Sequence, residues 1–152
     1  LRYIVAALKI DRDLERIADL AAHVAERGLA LCELPPLEIP FRIDEMGVKV
    51  EAMLKKALDA FVSLNTTAAH DVCALDGEIN AIKRETYRQV RLAVMEVPWN
   101  FDALMQMMHL ARHLERIADH ATNIAEDLIY LVEGRIVRHT AEVAAAPVAP
   151  DA

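Results

Sequence analysis

Two pairs of carboxylates in this sequence have the types and spacing to hold a cation: Glu15 with Asp19, and Glu115 with Asp119. Residues four apart on a helix share one face. Like charges at that spacing destabilise a helix by roughly 0.2–0.5 kcal/mol per pair. A chain that places the same unfavourable pair twice asks for a compensating positive charge. Arg12, Arg16, Arg112 and Arg116 stand close enough in sequence to supply it, and a metal ion is the other candidate. Hard oxygen ligands suit Mg, Mn, Fe or Zn when a neighbouring helix adds more carboxylates. Asp76 and Glu78 offer those, with Asn80 four residues beyond Asp76, where a third acid pair would need an acid. Arg112, Glu115, Asp119, Thr122 and Glu126 form a polar stripe along one flank of a helix. In most helical bundles such a stripe is a solvated salt-bridge network; its duplication is what brings metal ligation into contention.

Other groups carry weaker signals. His109 and His113 are four apart, the spacing of a zinc pair. The heptad count places them and His120 on the outer face, exposed or at a partner contact. Met95, Met105, Met107 and Met108 read as adaptable core, and Trp99 as a cap on one end of a bundle. Cys32 and Cys73 are far apart with no CxxC, so they read as small core fillers in a reducing compartment. Glu-x-x-His, the phosphate loop, GxGxxG and the nucleophile elbow are all absent. An enzyme, such as a carboxylate-bridged metal hydrolase or oxidase, is therefore the alternative reading, and a plain structural scaffold is another.

The elements that must position these groups are helices. Apolar residues recur at three- and four-residue spacing over 1–34, and Pro35 and Pro36 end that run. A linker follows to Pro40. A second helix is expected from about Phe41 to Ser63, and a third from Thr66 to Glu96, with Asn65 as its N-cap. Pro98 breaks the chain, Asn100 is placed to cap, and a fourth helix is expected from Phe101 to Glu133, ending at Gly134. From about Arg138 the chain becomes Ala-, Val- and Pro-rich, and disorder is expected over 138–152. Leu104, Met107, Ala111, Leu114, Ala118, Ala121, Ala125, Leu128 and Val132 alternate spacings of three and four, a heptad seam. Leu110, Ile117, Ile124 and Leu131 widen it, and the central alanines let backbones approach closely.

The first and last helices are copies. Leu14-Glu15-Arg16-Ile17-Ala18-Asp19 recurs as Leu114-Glu115-Arg116-Ile117-Ala118-Asp119, and Ala21, Ala25 and Glu26 match Ala121, Ala125 and Glu126 without a gap. A repeat of this kind implies two homologous modules. The fourth helix has two helices before it; the first has none, so two more are expected ahead of Leu1. The organisation anticipated is a last helix of one unit (1–34), a linker (35–40) and a complete three-helix unit (41–137).

Composition sets the class. Of 152 residues, 55% are hydrophobic, Gly and aromatics are scarce, and the formal net charge is −7. That favours an all-α domain and disfavours nucleic-acid binding, which needs clustered Lys and Arg. No stretch matches a membrane span or a signal peptide.

With these residues in view, the chain resembles the PhoU family of bacterial phosphate-transport regulators. The segments Asp13 to Asp19 and Leu114 to Asp127 are similar to that family's repeated E(D)xxxD signature, and Ile129-Tyr130-Leu131-Val132-Glu133-Gly134 is typical of its end. The resemblance implies tandem three-helix bundles and metal clusters held by the ExxxD carboxylates: Glu15, Asp19, Asp76, Glu115 and Asp119, with Asn80, Glu78 and Glu126 as further or supporting groups. It implies a cytoplasmic regulator, peripheral at the inner membrane face through its partners, that restrains phosphate uptake and starvation signalling. Those partners are a phosphate ABC transporter ATPase and a phosphate-sensing histidine kinase, and a homodimer is expected. No catalysis is implied. Asn80 stands where the family usually carries Asp and Gly77 where it often carries an acid, which weakens the second module's cluster; His23 stands where the second repeat has Asn123, so the repeats differ beside the motif.

Overall fold

The computed structural model describes residues 2–39, 41–134 and 136. Four α-helices and one short turn of 3-10 helix account for nearly all of them: α1 (Arg2–Cys32), α2 (Ile43–Ser63), α3 (Thr66–Glu96), the 3-10 turn (Pro98–Asn100) and α4 (Phe101–Glu133). No strand occurs among the described residues. The expected tail at 138–152 lies outside them.

Helix ends follow local chemistry in most places. Asn65 accepts a hydrogen bond from the Ala68 amide at 3.0 Å and starts α3. Gly134 takes φ 70°, the left-handed cap that ends α4, and its amide donates to the Tyr130 carbonyl. Leu64 ends α2 at φ 52°, a conformation that costs a non-glycine residue about 1–2 kcal/mol. It is held there by the Asn65 amide donating to the Ala60 carbonyl at 2.9 Å. One expectation fails: Asn100 precedes α4 but its side chain makes no capping hydrogen bond. Its backbone is already committed to the Pro98 turn, with its amide donating to Val97.

Inter-helix pairs give the directions. Lys56 meets Asp71 and Lys49 meets Glu78, so α2 and α3 are antiparallel. Lys83 meets Glu115 and His70 meets Glu133, so α3 and α4 are antiparallel. Lys9 meets Asp127, Asp13 meets His120 and Arg27 meets Gln106, so α1 runs antiparallel to α4. α2, α3 and α4 form a three-helix bundle, and α1 lies along the outer flank of α4.

The α4 seam fills the core. Leu104, Ala111, Ala118, Ala121, Ala125 and Leu128 are fully buried, as are Ile124 and Ile129 beside them. All of these except Leu104 share one core cluster with Met46, Met53 and Ala57 of α2 and Val72 and Ile79 of α3. Burial of each large aliphatic side chain contributes roughly 1.5–3 kcal/mol. Val132, assigned to the seam by spacing, is half exposed. A smaller cluster of Val90, Ala93 and Leu104, with Met105, Met107 and Met108 against it, closes the other end. Trp99 does not cap that end; it is 77% exposed, since the 3-10 turn projects it away from both helices.

α1 uses only one face. Ala6, Ile10, Ile17 and Leu20 are buried. The seam copied from α4, with Leu14, Ala18, Ala21 and Ala25, is exposed, together with Ile4 and Leu8.

Candidate functional site

The carboxylates picked out by spacing fall into separate environments. On α4, Glu115 is largely buried and accepts a hydrogen bond from the Lys83 ammonium at 2.6 Å. Lys83 comes from α3, and its ammonium also lies 5.9 Å from the centre of the Tyr87 ring. The compensating cation for Glu115 is therefore a lysine from another helix, not one of the arginines nearby in sequence. Asp119, one turn along, is half-buried on the same side of α4.

On α3, Asn80 donates its side-chain amide to Asp76 at 2.7 Å. An amide in the place of an acid thus turns a repelling pair into a hydrogen-bonded one. Glu78 is turned towards α2, exposed, and takes the Lys49 ammonium at 2.6 Å. It joins neither Asp76 nor Glu115. Glu126 is half-buried and lies near Cys73. Burial pushes the Cys73 thiol up to about 11, and the neighbouring carboxylates of Glu126 and Asp76 add to the shift.

On α1, Glu15 and Asp19 are both exposed. Asp19 has only a long contact of 3.9 Å with Arg16. The pair shares the open side of α1 with Leu14, Ala18 and Ala21, so the first copy of the motif is a surface feature and the second is packed between helices.

Among the described residues no three His, Cys, Asp or Glu side chains gather as a metal ion requires. The donor set therefore does not fit a complete metal centre by itself. At Glu115 the positive charge is already provided by Lys83, and at Asp76 the hydrogen-bond donor is the Asn80 side-chain amide.

The histidines differ from the heptad expectation. His113 stacks on His23 of α1 with ring centres 5.3 Å apart. His120 hydrogen-bonds Asp13 of α1 at 2.8 Å, and both side chains are mostly covered. Of these three α4 histidines His109 is exposed, and so is His23 on α1. The outward face of α4 is the surface that α1 covers, and counting along α4 alone could not include a second layer. Burial lowers the His113 pKa, and the charges of His23, Arg27, His109 and Arg116 lower it further.

Spacing also missed Lys83, whose role depends on a contact across 32 residues. A row of arginines on α3 lies outside the carboxylate pattern as well: Arg84, Arg88 and Arg91 recur at four- and three-residue steps.

Comparison with known proteins places this geometry in a family. The profile of the PhoU domain matches residues 43–128, which is α2, α3 and most of α4. The phosphate-specific transport system accessory protein PhoU homolog of Caulobacter vibrioides is 37% identical over 135 residues, 88% of this chain and 59% of the relative. The homolog of Pseudomonas aeruginosa is 37% identical over 140 residues, 91% of this chain and 58% of its own length. The chain thus spans about three fifths of the curated relatives it matches. The crystal structure of PhoU from Pseudomonas aeruginosa superposes with a TM-score of 0.83 at 36% identity, over 89% of this chain and 65% of that one. The phosphate transport system regulatory protein PhoU from Streptococcus pneumoniae gives 0.80 at 27% identity, over 91% and 65%. An all-α bundle of matching shape, the domain match and the identity over most of the length agree: this chain belongs to the PhoU family.

Proposed function

We propose that this chain is part of a non-enzymatic regulator that restrains phosphate uptake and keeps starvation signalling off when phosphate is ample. It acts as an adaptor between a phosphate ABC transporter ATPase and a phosphate-sensing histidine kinase. The observation that carries this reading is the identity, over 88% of the chain, to relatives named as accessory proteins of phosphate-specific transport. No described helix is long and apolar enough to cross a membrane; in this reading the chain reaches the inner membrane face through the transporter.

Within the same proposal, the exposed seam of α1 pairs two copies into a dimer. Metal ions (Fe, Zn, Mn or Mg) bind at Glu15 and Asp19 with further carboxylates from whatever covers that face. The reading leaves Glu115 with Lys83. Light scattering that reads a monomer at high concentration removes the dimer, and elemental analysis unchanged by Glu15→Ala/Asp19→Ala removes the metal.

The adaptor role is tested by tagging the chromosomal gene product and identifying what co-purifies after cross-linking in phosphate-replete cells. The transporter ATPase and the kinase are expected. Their absence, with the bait recovered, contradicts the reading.

A further inference from the structure

Between them α3 and α4 leave a groove of about 630 Å³. Its apolar lining is Tyr87, Val90 and Val94 from α3 and Met105 and Met108 from α4. Val90 is buried to 1% exposure at the floor, and Met95 is 83% exposed at the far end. Lys83, Arg84, Arg88 and Arg91 also line it, and no carboxylate does. In a chain of net charge −7 that is a local reversal of sign. Arg88 is held by Glu85 at 2.7 Å and Lys83 by Glu115; Arg84 and Arg91 stand exposed on the rim.

The stretch from Lys83 to Met95 rises about 18 Å at 1.5 Å per residue, room for about three turns of a docked helix. An apolar trough with adaptable methionines is the form that receives an amphipathic helix through i, i+3, i+4 and i+7 anchors. A one-sided basic rim selects an acidic flank on that helix. Two exposed arginines over an apolar floor are too few and too greasy for a nucleic-acid backbone, which needs several phosphate contacts.

We propose that the α3–α4 groove is a docking site for an amphipathic helix of a partner protein that carries acidic residues along one flank, read by Arg84 and Arg91. The proposal stands independently of the phosphate reading, because it rests on shape and charge alone.

The test uses two fluorescein-labelled helical peptides of about 12 residues, matched to the roughly 18 Å, three-turn length of the groove. They share one apolar stripe and differ in having Glu or Lys along its flank. Anisotropy with the whole chain is expected to show the Glu peptide binding at least about tenfold tighter at low salt than the Lys peptide, an order set by charge complementarity. Arg84→Glu/Arg91→Glu is expected to invert that order, and both positions are exposed, so the fold is retained. Several outcomes overturn the proposal. One is that neither peptide binds. Another is equal binding that ignores the double substitution. Others are arginine-dependent binding to phosphatidylglycerol vesicles without peptide binding, or self-association that the double substitution abolishes.

Discussion

Ala121 is fully buried in the core of the bundle, whereas Ala21, its counterpart in the repeated word, faces solvent on α1. The same word thus meets a full bundle in one copy and open water in the other. Leu14 and Leu114 tell the same story, at 38% and 7% exposure.

The first prediction follows from that contrast. Ala121→Leu inserts three carbons into a closed seam and is expected to destabilise by about 1–3 kcal/mol. At a concentration where light scattering reads a monomer, Ala21→Leu is expected to stay within about 0.5 kcal/mol, as exposed substitutions do. Urea denaturation of the chain measures both. A large loss for Ala21→Leu would show that the α1 face is covered in solution.

Much of this fold was legible in the residues. α3 and α4 begin and end where Asn65, Pro98 and Gly134 require, because caps and breakers act within a few residues. The seam of α4 was legible because its alternating spacing is strict. What was not legible came from other helices. Lys83 finds Glu115 across 32 residues, and no local pattern encodes that. His113 and His120 were placed outward because α4 read alone does not reveal that α1 lies over them. Glu78 was grouped with Asp76 by proximity in sequence, yet a difference of two positions turns it to α2 and Lys49. The acid pair of Glu15 and Asp19 was legible as a motif, but its exposure was not, since exposure depends on what packs against α1.

The second prediction concerns the cation at Glu115. The Lys83–Glu115 pair is mostly shielded from water, with 25% and 14% of the two side chains exposed. Charge-assisted hydrogen bonds of this kind contribute about 1.5–3 kcal/mol. Lys83→Met is expected to cost about 1–2 kcal/mol in a urea titration, since the carboxylate can still reach some water. A change below about 0.3 kcal/mol would show that the pair is not formed in solution.

A third prediction is chemical. With its thiol pushed up to about 11 by burial and nearby carboxylates, Cys73 holds little thiolate at pH 8. In a Cys32→Ser variant, iodoacetamide is expected to modify Cys73 on the order of 10² more slowly than an ordinary exposed thiol near pKa 8.5. Mass spectrometry of timed aliquots reads the rate. Alkylation as fast as a free cysteine peptide contradicts the packing of α3 against Glu126.

The fourth prediction is a pH dependence at the α1–α4 contact. Burial first, then the charges of His23, Arg27, His109 and Arg116, lower the His113 pKa below the ordinary histidine value of about 6.5. Above that value both folded and unfolded states keep the ring neutral and nothing is lost. As pH falls through it, the unfolded chain takes up the proton before the folded one, so stability declines. His113→Gln is expected to flatten that slope between about pH 6.5 and pH 5. An unchanged slope in the variant would place the titration elsewhere.

The central claim, that this PhoU-family chain serves to hold phosphate starvation signalling off, is tested most directly by disrupting its gene. Alkaline phosphatase activity would be measured in phosphate-replete cells. The account predicts high, constitutive activity that returns to the repressed level when the intact gene is restored. Activity that stays repressed in the disrupted strain, with phosphate uptake also unchanged, contradicts it.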